Sequence, residues 1–330
     1  MAGYQVLFVY NLKVPQIESL LITGASGFVG QSILDYLSDL PPNQLPKRIG
    51  LTTRKKKVCT PFSLMEKTKV LNISCDLQEP WEFDFQATHV INLAADGSSN
   101  AYSAESAALF CQITENLTNW CRTQVTPTVF HASSGACFGI VPLPLEDLSE
   151  NSPSTEIPQQ AEPRKRKDVF IQSRIAAEEL LLAAEREKFL NLRIGRLFSF
   201  IGRHLKLKPQ YAISSFVKMA ETKKQIELSG NPLTTRSYLG AQDMATWIYK
   251  SLDWNLDSSI LTIGSSKPVT MIELANFIAG LSDSVVTLQH PLLEGDIYVA
   301  NNHNTLNKLQ VFETQNWQDL VLSYMGNAKK

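Results

Sequence analysis

From Leu20 to about Leu197, short apolar runs alternate with longer stretches whose apolar residues recur every three or four positions. The runs at Leu20–Thr23, Arg48–Thr53, Val70–Ser74, His89–Ala94, Thr128–Ser133 and Leu192–Leu197 predict strands. The stretches Gln31–Leu40, Ala104–Arg122 and Phe170–Lys188 carry the helical period. Strands alternating with helices predict a parallel sheet covered on both faces. Right-handed crossovers then give a doubly wound α/β fold with its ligand crevice at the C-terminal strand ends. After about Leu197 the rhythm changes. A helix near Ile213–Lys223, a segment at Gln225–Tyr238, a helix at Gln242–Leu252 and a strand at Ile260–Ile263 follow. Thr270-Met271-Ile272-Glu273 is a capping box that opens another helix. The expectation is a dinucleotide-binding domain over residues 18–200. Residues 201–330 form mainly a smaller substrate-binding lobe, with some segments returning to the sheet, and residues 1–17 are an extension. The Pro-, Glu- and Ser-rich stretch Pro142–Asp168 reads as a long surface loop near the site.

The turn after the first run carries the first chemistry. Thr23-Gly24-Ala25-Ser26-Gly27-Phe28-Val29-Gly30 spaces its glycines as G-x-x-G-x-x-G between a strand and a helix. Gly24 permits a sharp turn, Gly27 lets backbone N–H groups approach a pyrophosphate, and Gly30 lets the helix pack closely on the strand. That context makes Gly24, Ser26, Gly27, Phe28, Val29 and Gly30 candidate cofactor contacts. An acid at the end of the second strand would bond the ribose 2′-hydroxyl of NAD. The chain reads Thr52-Thr53-Arg54-Lys55-Lys56-Lys57 instead, and Arg54 suits a 2′-phosphate. The cofactor expected is therefore NAD(P), with NADP favoured; the plainer reading of Arg54 is a solvated basic loop.

Composition narrows the partners. The 330 residues, 44% of them hydrophobic, suffice for one large domain with a lobe. A net charge of -1 sets up no field toward nucleic acid or a membrane, and no apolar stretch matches a signal peptide or a span. Cytoplasm is the expected compartment. The five cysteines, Cys59, Cys75, Cys111, Cys121 and Cys137, show no C-x-x-C spacing and no histidine at metal spacing. Reduced, mostly buried thiols and no metal site are expected.

Further motifs follow in order. Cys75-Asp76-Leu77 closes the third strand, and Val90-Ile91-Asn92-Leu93-Ala94-Ala95 forms and follows the fourth. Ser133-Ser134-Gly135-Ala136-Cys137-Phe138-Gly139 closes the fifth. Phe170-x-x-Ser173-Arg174-x-x-x-Glu178 opens a helix, and Arg236-Ser237-Tyr238-Leu239 precedes Asp243-Met244-Ala245 and Ile260-Leu261-Thr262-Ile263-Gly264. With these residues the chain resembles the extended short-chain dehydrogenase/reductases, in their NAD-dependent epimerase/dehydratase branch, from about Leu20 to the C-terminus. Sugar-nucleotide enzymes of the dTDP-glucose 4,6-dehydratase type are the nearest in pattern, and many of these serve surface-polysaccharide synthesis. The resemblance implies a Rossmann-like sheet and a nucleotide-diphosphate sugar as substrate. It implies Asp76 and Leu77 at the adenine, Leu93, Ala94 and Ala95 lining the cofactor, Ser134 orienting a substrate oxygen, and Arg236 holding the diphosphate. Many relatives dimerise through the helices expected here at Ala104–Arg122 and Phe170–Lys188. Ile175, Leu180, Leu181, Leu182 and Ala184 fit such a homodimer and equally fit a monomer core.

The departure lies in the acid/base pair. Phe170 and Arg174 stand where the family has the tyrosine and lysine of Tyr-x-x-x-Lys. Phe170 has no hydroxyl. Arg174 stays protonated, yet its fork suits ribose or phosphate. None of the nine tyrosines has a lysine four residues later, and Phe138 removes a second phenol. Asp96 and Tyr102, after the fourth strand, are candidate relocated proton donors. His131 is expected in the core or behind the site, and His89 at the surface. Arg164-Lys165-Arg166-Lys167 reads as a solvated loop or as a lid on substrate phosphates. Two functions remain open: hydride transfer on a nucleotide sugar, and binding of cofactor and nucleotide sugar without turnover in a regulatory or scaffolding role.

Overall fold

The computed structural model describes residues 16–54, 57–95, 102–138, 165–207, 211–253, 259–291 and 295–328. The N-terminal extension up to residue 15, Asp96, Arg164 and most of the Pro142–Asp168 stretch lie outside the described residues, as do the side chains of Lys165, Arg166 and Lys167.

The strands are β1 (Ser19–Thr23), β2 (Arg48–Thr53), β3 (Lys69–Ser74), β4 (His89–Asn92), β5 (Thr128–Ser134), β6 (Asn191–Leu197), β7 (Phe200–Ile201), β8 (Gln225–Leu228), β9 (Thr235–Ser237), β10 (Leu239–Gly240), β11 (Ser259–Ile263), β12 (Pro268–Thr270), β13 (Val285–Leu288) and β14 (Ile297–Tyr298). The helices are α1 (Phe28–Asp39), α2 (Phe62–Lys67), α3 (Ala104–Cys121), α4 (Lys165–Arg186), α5 (Ala212–Lys223), α6 (Ala241–Lys250), α7 (Met271–Gly280), α8 (His303–Leu309) and α9 (Trp317–Ala328).

Seven parallel strands form the central sheet in the order β11-β6-β5-β4-β1-β2-β3. The order reverses between β1 and β4, which is where an open α/β sheet leaves its crevice. Strands in such a sheet are buried on both faces, so they read as continuous apolar runs. β1, for example, is buried at all five positions. On one face Leu20, Ile22, Ile91 and Phe130 pack with Ile33 and Leu37 of α1 and Trp247 and Ile248 of α6. On the other, Leu21, Val90, Val129 and Leu192 pack with Ile113 and Leu117 of α3 and Leu181 of α4. A separate core joins Ile213 and Val217 of α5, Leu274 and Ile278 of α7, and Val321 and Tyr324 of α9. The capping box forms as its sequence predicts: Thr270 accepts from the Glu273 N–H at 3.2 Å and the Glu273 carboxylate accepts from the Thr270 N–H at 2.8 Å.

Four local features differ from expectation. Helix α1 begins at Phe28, directly after the Gly27 N-cap, and α4 begins at Lys165, ahead of its first apolar residue. Helix α2 escaped the periodicity because it is short and Phe62, its first residue, is 71% exposed. His89 is not a surface residue: it is buried against the Leu252 backbone near the Asp253 charge, and burial lowers its pKa to about 4, so the ring is neutral.

Candidate functional site

The three glycines of the first turn have different physical reasons. Gly24 has φ +66, and a Cβ there would lie 2.8 Å from the Leu93 carbonyl oxygen. At Gly30 a Cβ would lie 2.5 Å from the Ala25 Cα, so β1 and α1 could not approach as they do. Gly27 is different. Its φ is -78, which any residue adopts, and a Cβ there would meet only the Gly24 carbonyl oxygen, at 3.3 Å. The constraint is severe at Gly24 and Gly30 and milder at Gly27, which stands at the N-terminus of α1. The N-cap residue, Gly27, has no side chain to cap that end. It is positioned for an anion, because first-turn N–H groups and the helix dipole point there.

Around this cradle the strand ends are tied by one hydrogen-bonded chain. The Thr23 hydroxyl donates to Asn92 Oδ1 at 2.6 Å and accepts from the Leu93 and Ala94 N–H groups at 3.1 and 3.2 Å. The Asn92 amide donates to His131 Nδ1 at 2.9 Å. That leaves the ring proton on Nε2, which is buried without a hydrogen-bond partner among the described residues. Burial, followed by the nearby Arg174 charge, lowers the His131 pKa to about 3. His131 is therefore a neutral histidine beneath the site and takes up no second proton at working pH.

The sequence-predicted cofactor residues reach the same edge of the sheet. Ser26 and Ala95 are exposed, Phe28 and Val29 are half-buried, and Ala94 is buried. Arg54 is exposed just past β2. Asp76 is exposed past β3, where its Oδ1 accepts from the Gln78 N–H at 3.1 Å, with half-buried Leu77 beside it.

Ser134 ends β5, half-buried, and its hydroxyl accepts from the Ala136 N–H at 3.2 Å. Facing it, α4 presents the altered pair. The Arg174 guanidinium carbon lies 3.3 Å from the centre of the Phe110 ring and 4.3 Å from that of Phe170. Arg174 is thus clamped between two aromatic rings, 8% exposed, and burial lowers its pKa only to about 10. It remains charged at neutral pH. Tyr102 meets the Phe170 ring edge-on at 5.3 Å and is 48% exposed.

One turn farther along α4, Glu178 bonds two ways. Its carboxylate accepts from Arg196 Nε at 3.1 Å and Nη2 at 2.7 Å, and from the Ser133 hydroxyl. Both charged side chains are almost wholly buried, at 3% and 1% exposure. Arg196 also covers the Phe138 ring, with 4.5 Å to its centre. The Cys137 thiol lies 3.6 Å from Ser133, and burial pushes its pKa up to about 11. This network fastens the end of β5 to α4 and β6, directly behind Ser134.

From the lobe, β9 and β14 pair in parallel with Arg236 opposite Tyr298. Arg236 Nη1 donates to the Thr235 and Asp296 carbonyls at 2.8 and 3.3 Å. The Arg236 guanidinium carbon is 5.7 Å from the centre of the Tyr298 ring, which in turn packs on Phe198 at 4.6 Å. The Tyr298 hydroxyl is within reach of Ser134. Sequence reasoning missed Tyr298 because it sought a phenol with a lysine four residues later on one helix. A separate recess of about 180 Å³ between α1, α6 and α9, lined by Asp35, His204 and Tyr324, shares none of these residues.

A seven-stranded parallel sheet with a glycine turn at its switch point defines a Rossmann-like α/β protein. The chain belongs to the NAD-dependent epimerase/dehydratase family, whose model matches residues 20–264. A GDP-mannose 3,5-epimerase 1 from Oryza sativa subsp. indica is 26% identical over 299 residues, 87% of this chain and 75% of that protein. Among solved structures, MoeE5 in complex with UDP-glucuronic acid and NAD superimposes with a TM-score of 0.74 at 17% identity, covering 94% of this chain and 99% of that one. RMD from Pseudomonas aeruginosa complexed with NADPH gives 0.73 at 18% identity, covering 94% and 98%. Among the described residues, no helix is long and apolar enough to cross a membrane.

Proposed function

We propose that this protein binds NAD(P) and a nucleotide-diphosphate sugar in one crevice and supports hydride transfer at the sugar. The observation that carries the reading is Gly27, whose position at the start of α1 leaves the first-turn N–H groups bare of a side chain at the crevice of the sheet. A nicotinamide cofactor, when bound, supplies a hydride acceptor or donor. The chain's residues do the rest. The backbone of Ser26 to Val29 holds the pyrophosphate and Arg54 a 2′-phosphate. Asp76 and Leu77 flank the adenine, and Leu93 to Ala95 line the floor. Arg174 holds ribose, Ser134 orients the sugar oxygen, and Arg236 faces the diphosphate. A cytoplasmic role in surface-polysaccharide synthesis and a homodimer through α3 and α4 belong to the same reading. The second reading, a cofactor- and nucleotide-sugar-binding protein without turnover, is favoured by Phe170, which cannot exchange a proton.

Native mass spectrometry of the purified protein tests the class directly: a retained dinucleotide or sugar nucleotide supports it. Gly27→Val should abolish NAD(P) binding in calorimetry while the circular dichroism spectrum and melting temperature stay near wild type. Unchanged affinity for both cofactors would remove the cradle assignment. NADP should bind more tightly than NAD, since a charge-assisted hydrogen bond from Arg54 contributes about 1.5–3 kcal/mol. Arg54→Ala should erase that difference, and equal affinities in the wild type would return Arg54 to the solvent.

A further inference from the structure

We infer that Arg174 makes the crevice selective for the redox state of its dinucleotide. A fixed positive charge with no counter-charge favours the reduced form, whose nicotinamide ring is neutral, over the oxidised form, whose ring is cationic. The inference rests on the reading of the crevice as a cofactor site with Arg174 at the ribose.

Arg174 is held by stacking more than by hydrogen bonding. The ring centres of Phe110 on α3 and Phe170 on α4 lie 3.3 and 4.3 Å from its guanidinium carbon, and aromatic faces hold a cation without neutralising it. Among the described residues its one hydrogen bond runs from Nη1 to the Ser173 hydroxyl at 3.4 Å, which is long. The fork therefore keeps N–H donors to spare. The clamp also stands beside the expected cofactor floor. Phe110 lies 5.5 Å from the His131 ring, His131 bonds to Asn92, and Asn92 bonds to Thr23, whose hydroxyl holds the Leu93 and Ala94 N–H groups.

The described residues leave the charge uncompensated. The titratable groups acting on Arg174 are Cys137, Cys111 and Tyr102. Burial pushes both thiols up, Cys137 to about 11, and a phenol keeps its proton at neutral pH. His131 is neutral. Glu178, one turn along α4, is taken by Arg196 and Ser133, and Glu115 of α3 is exposed. A tyrosine at position 170 could ionise and offset the guanidinium; Phe170 cannot. Arg174 is nearly buried, so salt screens it weakly. The missing phenol thus has a consequence besides proton transfer: the cation of this site is unbalanced. Occupancy then follows the reduced share of the cofactor pool, with or without turnover.

The test is calorimetry on the full chain with NAD, NADH, NADP and NADPH, at low and high salt, for wild type, Arg174→Gln and Arg174→Lys. The expected result is tighter binding of the reduced form than of its oxidised partner by about tenfold, a modest share of what two unit charges a few ångströms apart exchange inside a protein. Arg174→Gln should lose the preference and Arg174→Lys should keep it. A lost ribose contact weakens both forms alike, so the ratio of the two affinities isolates the charge. The wild-type ratio should persist at high salt, because the cation is buried. Equal wild-type affinity for the two redox forms, a ratio abolished by salt, or a ratio unchanged in Arg174→Gln overturns the inference and leaves the cofactor site standing. Failure of the wild type to bind any of these dinucleotides overturns both readings.

Discussion

Glu178→Ala is expected to destabilise the protein by about 3–5 kcal/mol, the cost of leaving a buried charge without its partner. The stranded group would be Arg196, 1% exposed, with its Nη1 already lacking a hydrogen-bond partner among the described residues. For 330 residues at about 2.1 cal/mol/K each, that loss corresponds to a fall in melting temperature of roughly 4–7 °C. The control is the double variant Glu178→Leu with Arg196→Met. Replacing both ions with apolar side chains avoids the stranded charge, so the double variant should be more stable than Glu178→Ala. Urea denaturation of the set reads this directly. Equal stability of Glu178→Ala and wild type would mean that the pair is solvated in solution. The same variant should loosen the end of β5, because Ser133 loses its acceptor one residue before Ser134.

The largest gain is expected from Phe170→Tyr combined with Arg174→Lys. A phenol at position 170 would stand at the crevice edge, over the residue that lies 4.3 Å from its ring. A positive neighbour pulls a phenol from its ordinary value near 10 toward neutrality, which makes it a base for a sugar hydroxyl. Wild type should be slow or silent in oxidising a hydroxyl nucleotide sugar. The double variant should be faster by up to about 10²–10⁴, followed by reduced-cofactor absorbance and product analysis. The clamp sets a condition on this gain. Arg174 lies flat between Phe110 and Phe170, and a lysine stem fills that slot less completely. If wild type and the double variant bind cofactor and neither oxidises any sugar of a UDP, dTDP, GDP and CDP panel, the site serves binding. Robust wild-type oxidation lost on mutating Asp96 or Tyr102 would instead reveal a relocated base.

The parallel sheet was legible because buried strands announce themselves as apolar runs. β2 lies at Arg48–Thr53 as read, and β1, β3, β5 and β6 within one residue at either end. The cradle was legible for the same local reason: glycines, strand and helix are contiguous. The lobe was less so. β12, β13 and β14 are two to four residues long, too short for a period to show. Tyr298 is on one of them, and its meeting with Ser134 joins positions 164 residues apart, a distance no local pattern spans. His89 was misread because it opens β4, where a polar residue fits a strand end in solvent, while its burial comes from distant Leu252 and Asp253.

The placement of β11 has a consequence for how the chain is made. The strand lies beyond β6 at the rim of the seven-stranded sheet, in register from Ser259 with Arg193 to Ile263 with Leu197. Until Ile263 has left the ribosome, β6 presents a row of unpaired N–H and C=O groups, a template for any other extended chain. The α1 face also waits for Trp247 and Ile248. At a synthesis rate of about 5–20 residues per second, the interval between β6 and β11 lasts several seconds. Nascent chains are most exposed to mispairing during that interval, and a fragment ending near residue 200 would carry the same open rim permanently.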